Sequence, residues 1–310
     1  MPVSLTAASA TEYEVYGRLC RPPDGGGRAV QLLVAGITYD HNYWDLPDSV
    51  GHERYSYIDA ATDAGMATFA LDRIGIGRSS HPPGAAVTLD SNSYVVHEVV
   101  QALRHGIAGA PGYSKVALVG HSYGSWTSWH EAGAYHDVDA VVFSGAAHGL
   151  NPLSPLAVLP NLYPAQWDPE LSGTVPDLGY LTSRPGLRQL MFHAPGRVDP
   201  TLLDYDEQHK QTVTVGEIDN FPQILLEPVD IRVPVLLADG SDDPLFCGGP
   251  IAPNCSDSAS LSAYERRFLG ADVPSVDAYV LPGAGHDLNY APNAHHWFAI
   301  AQRWITNHLR

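Results

Sequence analysis

Long apolar runs, positive charge and cysteine are all scarce in this chain of 310 residues. No run reaches the roughly 18 to 20 apolar residues that a membrane-spanning helix needs, so the sequence predicts none. Lys and Arg number 17 against 34 Asp and Glu, which gives a formal net charge of −17 without a basic patch. Nucleic acid and membrane surfaces are therefore not expected as partners. The simplest explanation of this negative charge is solubility, and the alternative is that it repels anionic substrates.

The three cysteines have neither C-x-x-C spacing nor clustered histidines around them, so a zinc site is not expected. No other cofactor or metal is expected either. Apolar residues, by contrast, are abundant: they make up 45% of the chain, while charged residues make up 16%. This composition is typical of a globular chain that buries about three quarters of its unfolded surface. We therefore expect one enzyme-sized domain with an insertion.

Apolar periodicity predicts a sheet covered by helices. Residues 13–19 alternate as an edge strand would, and helical spacing occurs at 96–107 and 297–305. Continuous apolar runs, typical of buried parallel strands, lie at 30–34, 67–71, 115–119, 140–143, 231–238 and 276–281. From residue 148 to about 230 the pattern breaks, and this stretch holds eleven of the 25 prolines. Proline at that density favours short helices and turns.

The most informative motif is Gly-His-Ser-Tyr-Gly at residues 120–124. It lies where a short apolar strand gives way to a helix-like stretch, which is the context of a G-x-S-x-G nucleophile elbow. A sharp turn there lifts the serine oxygen above the sheet, and the two glycines avoid collisions with neighbouring backbone. Ser122 is therefore the candidate nucleophile.

A serine nucleophile needs a histidine base and an acid that orients the histidine. In chains with a G-x-S-x-G elbow, these residues follow in the order Ser, acid, His. The acid is expected in the turn Asp-Gly-Ser-Asp-Asp-Pro at 239–244, where Asp242 and Asp243 are both candidates. Of the fifteen histidines, only His286 follows the last predicted strand. His286 is therefore the candidate base.

Together these elements resemble the α/β-hydrolase-fold serine hydrolases, and the resemblance covers nearly the whole chain. Residues 72–79 match that superfamily's D-x-x-G-x-G-x-S turn. More narrowly, residues 35–45 and the segments around Ser122 and 244–247 are similar to a little-characterised group of hydrolases from fungi and actinomycetes. The resemblance implies an α/β fold with a mostly parallel central sheet flanked by helices. It also favours Asp243 over Asp242 as the acid.

The resemblance further implies an oxyanion hole and a cap. The N–H groups of Ile37 and Tyr123 occupy the positions of the two oxyanion donors, although many relatives have His-Gly where this chain has Ala-Gly before Ile37. Residues 148–230 are expected to form a cap between core segments 1–147 and 231–310. Their apolar residues suggest a lid over an uncharged, fairly bulky substrate; the alternative is a cap that merely packs on the core.

Similar sequences have cysteines at the positions of Cys247 and Cys255, which implies a disulfide that closes a loop after the acid and leaves Cys20 free. The alternative is two reduced thiols. No signal peptide is visible at the amino terminus. We therefore expect a secreted protein if a signal was trimmed, and otherwise a cytoplasmic one.

The resulting hypothesis is a serine hydrolase that cleaves a small-molecule carboxylic ester or lactone through an acyl-enzyme. Acyl transfer, cyclisation and thioester hydrolysis use the same triad and stay open, as does a non-catalytic ligand-binding role. The sequence makes no prediction of the oligomeric state.

Overall fold

A computed structural model describes residues 1–195 and 197–309 of the chain, and Gly196 and Arg310 lie outside the described residues. Its strands are β1 (Pro2–Val3), β2 (Tyr13–Glu14), β3 (Gly17–Cys20), β4 (Ala29–Val34), β5 (Ala67–Leu71), β6 (Lys115–His121), β7 (Ala140–Ser144), β8 (Leu162–Pro164), β9 (Tyr180–Ser183), β10 (Val213–Thr214), β11 (Val235–Gly240) and β12 (Val276–Leu281). Its α-helices are α1 (His52–Tyr55), α2 (Tyr57–Asp63), α3 (Leu89–His105), α4 (Tyr123–Tyr135), α5 (Ser154–Val158), α6 (Arg188–Phe192), α7 (Pro200–Gln208), α8 (Val215–Asp219), α9 (Phe221–Leu226), α10 (Ser258–Glu265) and α11 (Ala294–Leu309).

Seven strands form the central sheet, in the order β12-β11-β7-β6-β4-β5-β3. All neighbouring strands are parallel except the edge strand β3, which pairs antiparallel with β5. Strands β5, β7 and β11 are buried along their whole length, as expected for parallel strands covered on both faces. The predicted mostly parallel sheet is therefore confirmed.

Two helix pairs cover this sheet. Helix α3 packs against α4, which contacts β6 and β7, while α11 packs against α2 and contacts β12. Thr88 begins α3 with a capping box that it forms with Ser91. Among the described residues, no helix combines the length and apolar character needed to cross a bilayer.

The structure corrects two predicted strands. The run at 231–238 becomes a strand only from Val235, because Pro234 has no N–H for a sheet ladder and restricts the residue before it. From there β11 pairs with β12 through Gly240 and with β7 through Ala238. The predicted edge strand at 13–19 is interrupted: Tyr13–Glu14 pairs with Pro2–Val3, and only Gly17–Cys20 joins the central sheet.

Between β7 and β11 the described residues add no strand to the central sheet. They form short helices and a small antiparallel sheet of β8, β9 and β10, as the prolines predict. Side-chain hydrogen bonds tie this segment to the core: the Tyr180 hydroxyl donates to the Pro82 carbonyl at 2.6 Å, and the Thr214 hydroxyl donates to the Val87 carbonyl at 2.8 Å. That residues 148–230 act as a cap stays a prediction.

Candidate active site

Ser122 lies on the tight turn between β6 and α4, with φ 54° and ψ −124°. A positive φ is uncommon for a residue with a side chain, and such strain clusters at functional sites. The flanking glycines are required by close approach. A Cβ on Gly120 would lie 2.4 Å from the Cα of Ser125, and a Cβ on Gly124 would lie 2.1 Å from the Val34 carbonyl oxygen. The motif therefore forms the turn that its spacing predicts.

The structure brings His286 together with Asp243. The Nδ1 of His286 lies 2.9 Å from the Oδ2 of Asp243. The other carboxylate oxygen of Asp243 accepts the backbone N–H groups of Leu245 (2.6 Å) and Phe246 (3.2 Å). The sequence alternative, Asp242, is exposed, and its carboxylate lies 4.0 Å from Arg197. Of the two aspartates, it is therefore Asp243 that holds the histidine.

Electrostatics favour a charged acid beside this histidine. Burial opposes ionisation of Asp243, but the charge and hydrogen bond of His286 outweigh it and lower the pKa of the carboxyl. Burial would likewise lower the pKa of His286, yet the Asp243 carboxylate raises it above its ordinary value. A second buried acid, Asp239, behaves in the opposite way: burial and the Asp243 charge raise its pKa well above the usual range.

The second nitrogen of His286 is free. Its Nε2 is buried and has no hydrogen-bond partner among the described residues, including Ser122. The imidazole packs between Phe192 and Phe246, with ring centroids 5.9 and 5.5 Å away, and both phenyl groups line the same cavity as Ser122. Hydrogen bonds between base and nucleophile are often long without substrate. A free Nε2 in this position can accept a proton.

The two predicted oxyanion donors also border this cavity. The Ile37 N–H donates no hydrogen bond within the described residues, and Tyr123 is the first residue of α4, where the N–H has no intrahelical acceptor. A Cβ on Gly36 would lie 2.8 Å from the Cβ of Ser122, so the loop that carries Ile37 runs close to the nucleophile. Replacement of the common His-Gly by Ala-Gly therefore leaves both N–H groups available.

A buried polar network beside this site was missed by sequence reasoning. The Nε2 of His121 lies 3.0 Å from Asp287, which also accepts the Tyr39 hydroxyl. Asp206 accepts the same hydroxyl at 3.2 Å and pairs with Arg188. His121 and Asp287 are sequence neighbours of Ser122 and His286, which is the one signal that could have indicated them.

Hydrogen bonds engage His121 and Asp287, two of three neighbouring side chains whose donor atoms could together hold a metal. Potential ligand atoms of His121, His286 and Asp287 lie within 4.8 Å of one another. However, His121 bonds to Asp287, and the Nδ1 of His286 bonds to Asp243. Of these three side chains, His286 is the one whose Nε2 has no partner among the described residues.

The cavity above Ser122 has a volume of about 340 Å³. Its walls are almost entirely apolar, and none of the described residues that line it carries a charge. The core contributes Trp126 and Phe246, while the segment between β7 and β11 contributes Val158, Phe192 and Phe221. Such a space fits an uncharged group of considerable size.

Cys247 and Cys255 form a disulfide, as predicted, and Cys20 is a free, half-buried thiol. The closed loop begins four residues after Asp243. It is anchored further by Asn151, whose side-chain amide donates to the Cys247 carbonyl at 2.9 Å.

Solved structures that resemble this chain include an esterase and two lipases, all at low sequence identity. A thermophilic esterase from Thermogutta terrifontis has a TM-score of 0.61 at 15% identity, with 99% of this chain and 98% of that chain covered. A monoglyceride lipase from Saccharomyces cerevisiae, solved with a substrate analogue, has a TM-score of 0.61 at 15% identity over 100% and 97% of the two chains. A monoacylglycerol lipase from Paleococcus ferrophilus has a TM-score of 0.55 at 20% identity over 95% and 99%. These similarities establish the α/β-hydrolase fold.

No curated protein sequence matches the chain. The profile of the family described as serine aminopeptidase, S33, matches residues 53–289, which is well over half of the chain. The narrower similarity to hydrolases of fungi and actinomycetes stays a prediction. The match spans the elbow, the acid turn and the histidine loop, and the chain therefore belongs to the serine aminopeptidase S33 family of α/β-hydrolase-fold proteins.

Proposed function

We propose that this hydrolase cleaves a carboxylic ester or lactone with Ser122 as nucleophile, His286 as base and Asp243 as the acid that orients it. The observation that carries the proposal is the buried His286–Asp243 pair. Its Nε2 has no hydrogen-bond partner among the described residues, and its imidazole packs against two phenyl groups that line the cavity together with Ser122. Motif, order along the chain and surroundings all support the same three residues.

The chemistry follows from these positions. Ser122 Oγ attacks the ester carbonyl while His286 Nε2 takes its proton, and Asp243 stabilises the imidazolium that forms. The N–H groups of Ile37 and Tyr123 donate hydrogen bonds to the carbonyl oxygen as negative charge develops on it. The protonated His286 then gives its proton to the leaving alcohol. Water, activated by the same nitrogen, hydrolyses the acyl-enzyme and restores Ser122.

The cavity favours an uncharged, bulky acyl or alcohol group as the substrate. A charged group would lose its hydration in an apolar space without gaining a partner. The same argument weighs against an amino-terminal peptide as substrate, despite the description of the family. An aminopeptidase must bind a free ammonium group, and the described lining residues offer no carboxylate for it.

A thioesterase, acyltransferase or cyclase would share the acyl-enzyme and differ only in the leaving group or the acceptor. Product analysis with an added alcohol or amine distinguishes these reactions from hydrolysis. A non-catalytic receptor would bind the ligand without turnover.

The test is intact-mass analysis after treatment with a fluorophosphonate probe, followed by kinetics on a panel of esters and lactones. The wild type is expected to gain one phosphonyl group. Ser122→Ala should abolish labelling and lower kcat on the order of 10⁴-fold or more while the fold is kept. Ser128→Ala is a matched control, because its hydroxyl donates within α4 to the Gly124 carbonyl at 2.6 Å. An unlabelled wild type without ester turnover would overturn the proposal.

A further inference from the structure

A buried arginine, Arg73, binds the loop that carries the Ile37 donor. Arg73 is 1% exposed, and its guanidinium donates from Nε to the Ala35 carbonyl at 3.0 Å and from Nη2 to the Gly36 carbonyl at 3.1 Å. The Gly36 carbonyl and the Ile37 N–H belong to one planar peptide unit and point in opposite directions. Fixing the carbonyl therefore fixes the direction of the N–H.

Arg73 also contacts Tyr123, the residue that carries the second proposed oxyanion donor. Its guanidinium carbon lies 5.0 Å from the ring centroid of Tyr123, which supports a cation–π interaction. A positive charge on the Gly36 carbonyl additionally polarises the peptide, which makes the Ile37 N–H a stronger donor. Arg73 thus binds the peptide that carries one proposed donor and packs on the side chain of the residue that carries the other.

A carboxylate from the segment between β7 and β11 keeps Arg73 in place. Glu217, in α8, is 1% exposed and forms an ion pair with the Nη1 of Arg73. Asn92 joins them: its oxygen accepts from Arg73 at 3.1 Å, and its amide donates to Glu217 at 3.2 Å. Glu217 is itself fixed by a capping box with Thr214. The ion pair is therefore rigid and fully desolvated.

The far side of the same loop is fixed in a similar way. Thr38 has a φ of 59°, its N–H donates to the Thr212 carbonyl at 2.9 Å, and its hydroxyl accepts from Arg188 at 2.9 Å. Ile37 is thus flanked by two residues that each contact a buried arginine.

We infer that Arg73 is a positioning residue that orients the Gly36–Ile37 peptide for oxyanion binding, and that Glu217 couples this orientation to the docking of the segment between β7 and β11. The inference rests on the proposed function. Lysine cannot replace the arginine, since an ammonium lacks the planar fork that reaches two carbonyls and the carboxylate at once.

The experiment compares Arg73→Lys and Glu217→Gln with Asp168→Asn, a matched control. Asp168 forms another buried ion pair in the same segment, with Lys210 at 2.7 Å. Among the described residues, the side-chain hydrogen bonds of this pair go to Tyr163, Glu170 and Ser183 rather than to residues 35–37. Each protein is tested for thermal stability, for the rate of phosphonylation by a fluorophosphonate, and for kcat and KM on p-nitrophenyl butyrate. Phosphonylation depends on the oxyanion hole but not on deacylation.

Arg73→Lys is expected to lower kcat and the phosphonylation rate together by roughly 10- to 100-fold, less than the ~10²- to 10³-fold cost of losing a donor. KM should stay within about twofold, because the lost interaction acts on the transition state. Glu217→Gln should give a smaller loss of the same kind, about 3- to 10-fold. Asp168→Asn should lower stability and leave the phosphonylation rate within about twofold of wild type.

The outcomes separate the two proposals. A wild type that is neither labelled nor active overturns the proposed function, and this inference falls with it. A labelled wild type whose Arg73→Lys and Glu217→Gln variants react as fast as the Asp168→Asn control overturns only the inference. If Arg73→Lys does not fold, the phosphonylation rates of Glu217→Gln and Asp168→Asn are compared instead. Equal rates for these two variants would overturn the inference.

Discussion

Two histidine–carboxylate pairs lie side by side in the interior, and their imidazole rings are only 4.9 Å apart between centroids. In the pair His286–Asp243, the carboxylate binds Nδ1 and leaves Nε2 free. In the pair His121–Asp287, the carboxylate binds Nε2, while Nδ1 lies 3.4 Å from the Ser144 hydroxyl. The residue types are the same, but only the first pair retains a nitrogen that can serve a reaction.

The protonation of the two histidines also differs. The Asp243 carboxylate raises the pKa of His286, whereas burial lowers the pKa of His121 to about 4. His121 thus stays neutral at physiological pH and acts as a fixed hydrogen-bonding group. The comparison indicates that a histidine beside a carboxylate is a base only where one nitrogen is left without a partner.

The largest expected difference is between His286→Gln and His121→Gln. Removal of the base should lower kcat on the order of 10⁴-fold, since a triad acts as a unit. His121→Gln should lower the melting temperature, because it disturbs a buried hydrogen bond, and keep most of kcat. Kinetics and thermal melts on both variants check this. Equal losses of kcat would show that the second pair takes part in the chemistry.

The carboxylates give the next largest effect. Asp243→Asn should lower kcat by about 10³- to 10⁴-fold, because an amide cannot hold the required tautomer of His286. Asp242→Asn is the matched neighbour and should leave kcat nearly unchanged, because its side chain is exposed and does not contact His286. Steady-state rates of the two variants test this assignment. A larger loss of kcat for Asp242→Asn would show that Asp242, and not Asp243, is the acid.

The pH profile gives a third test. The proposed reaction needs the neutral form of His286, and a raised pKa keeps that imidazole protonated to higher pH. The value of kcat/KM should therefore fall with decreasing pH through a midpoint above about 6.5, the ordinary histidine value. His121→Gln should not move this midpoint. A midpoint well below 6 in the wild type would contradict the assignment of His286.

The smallest effect concerns the disulfide that follows the acid. Cys255→Ser should lower the free energy of unfolding by about 2–3 kcal/mol in the chain-entropy model and weaken activity with it, because the loop begins next to the residues that hold Asp243. Cys20→Ser is the control and should change neither property much. Melting temperature and activity per folded molecule are the measurements. Lost stability with full activity would show that the loop does not support the acid.

The sequence predicted one of these pairs and missed the other, for a physical reason. Ser122 and His286 follow strand ends in a fixed order, and motif spacing alone indicates them. His121–Asp287 and Arg73–Glu217 join residues 166 and 144 positions apart, and no motif records such pairings. Strand existence was predictable from apolar runs, but the start of β11 depended on Pro234 and on both neighbouring strands. The short elements between β7 and β11 depend on tertiary contacts in the same way.

The mixed origin of the cavity walls bears on how such an enzyme changes over evolution. The proposed catalytic residues follow strands of the central sheet, whereas Val158, Phe192 and Phe221 come from short helices joined by turns. Such segments tolerate substitution and insertion better than sheet strands do. Substitutions in this segment can therefore change which acyl or alcohol groups the cavity accepts. The proposed nucleophile, base and acid need not change with them.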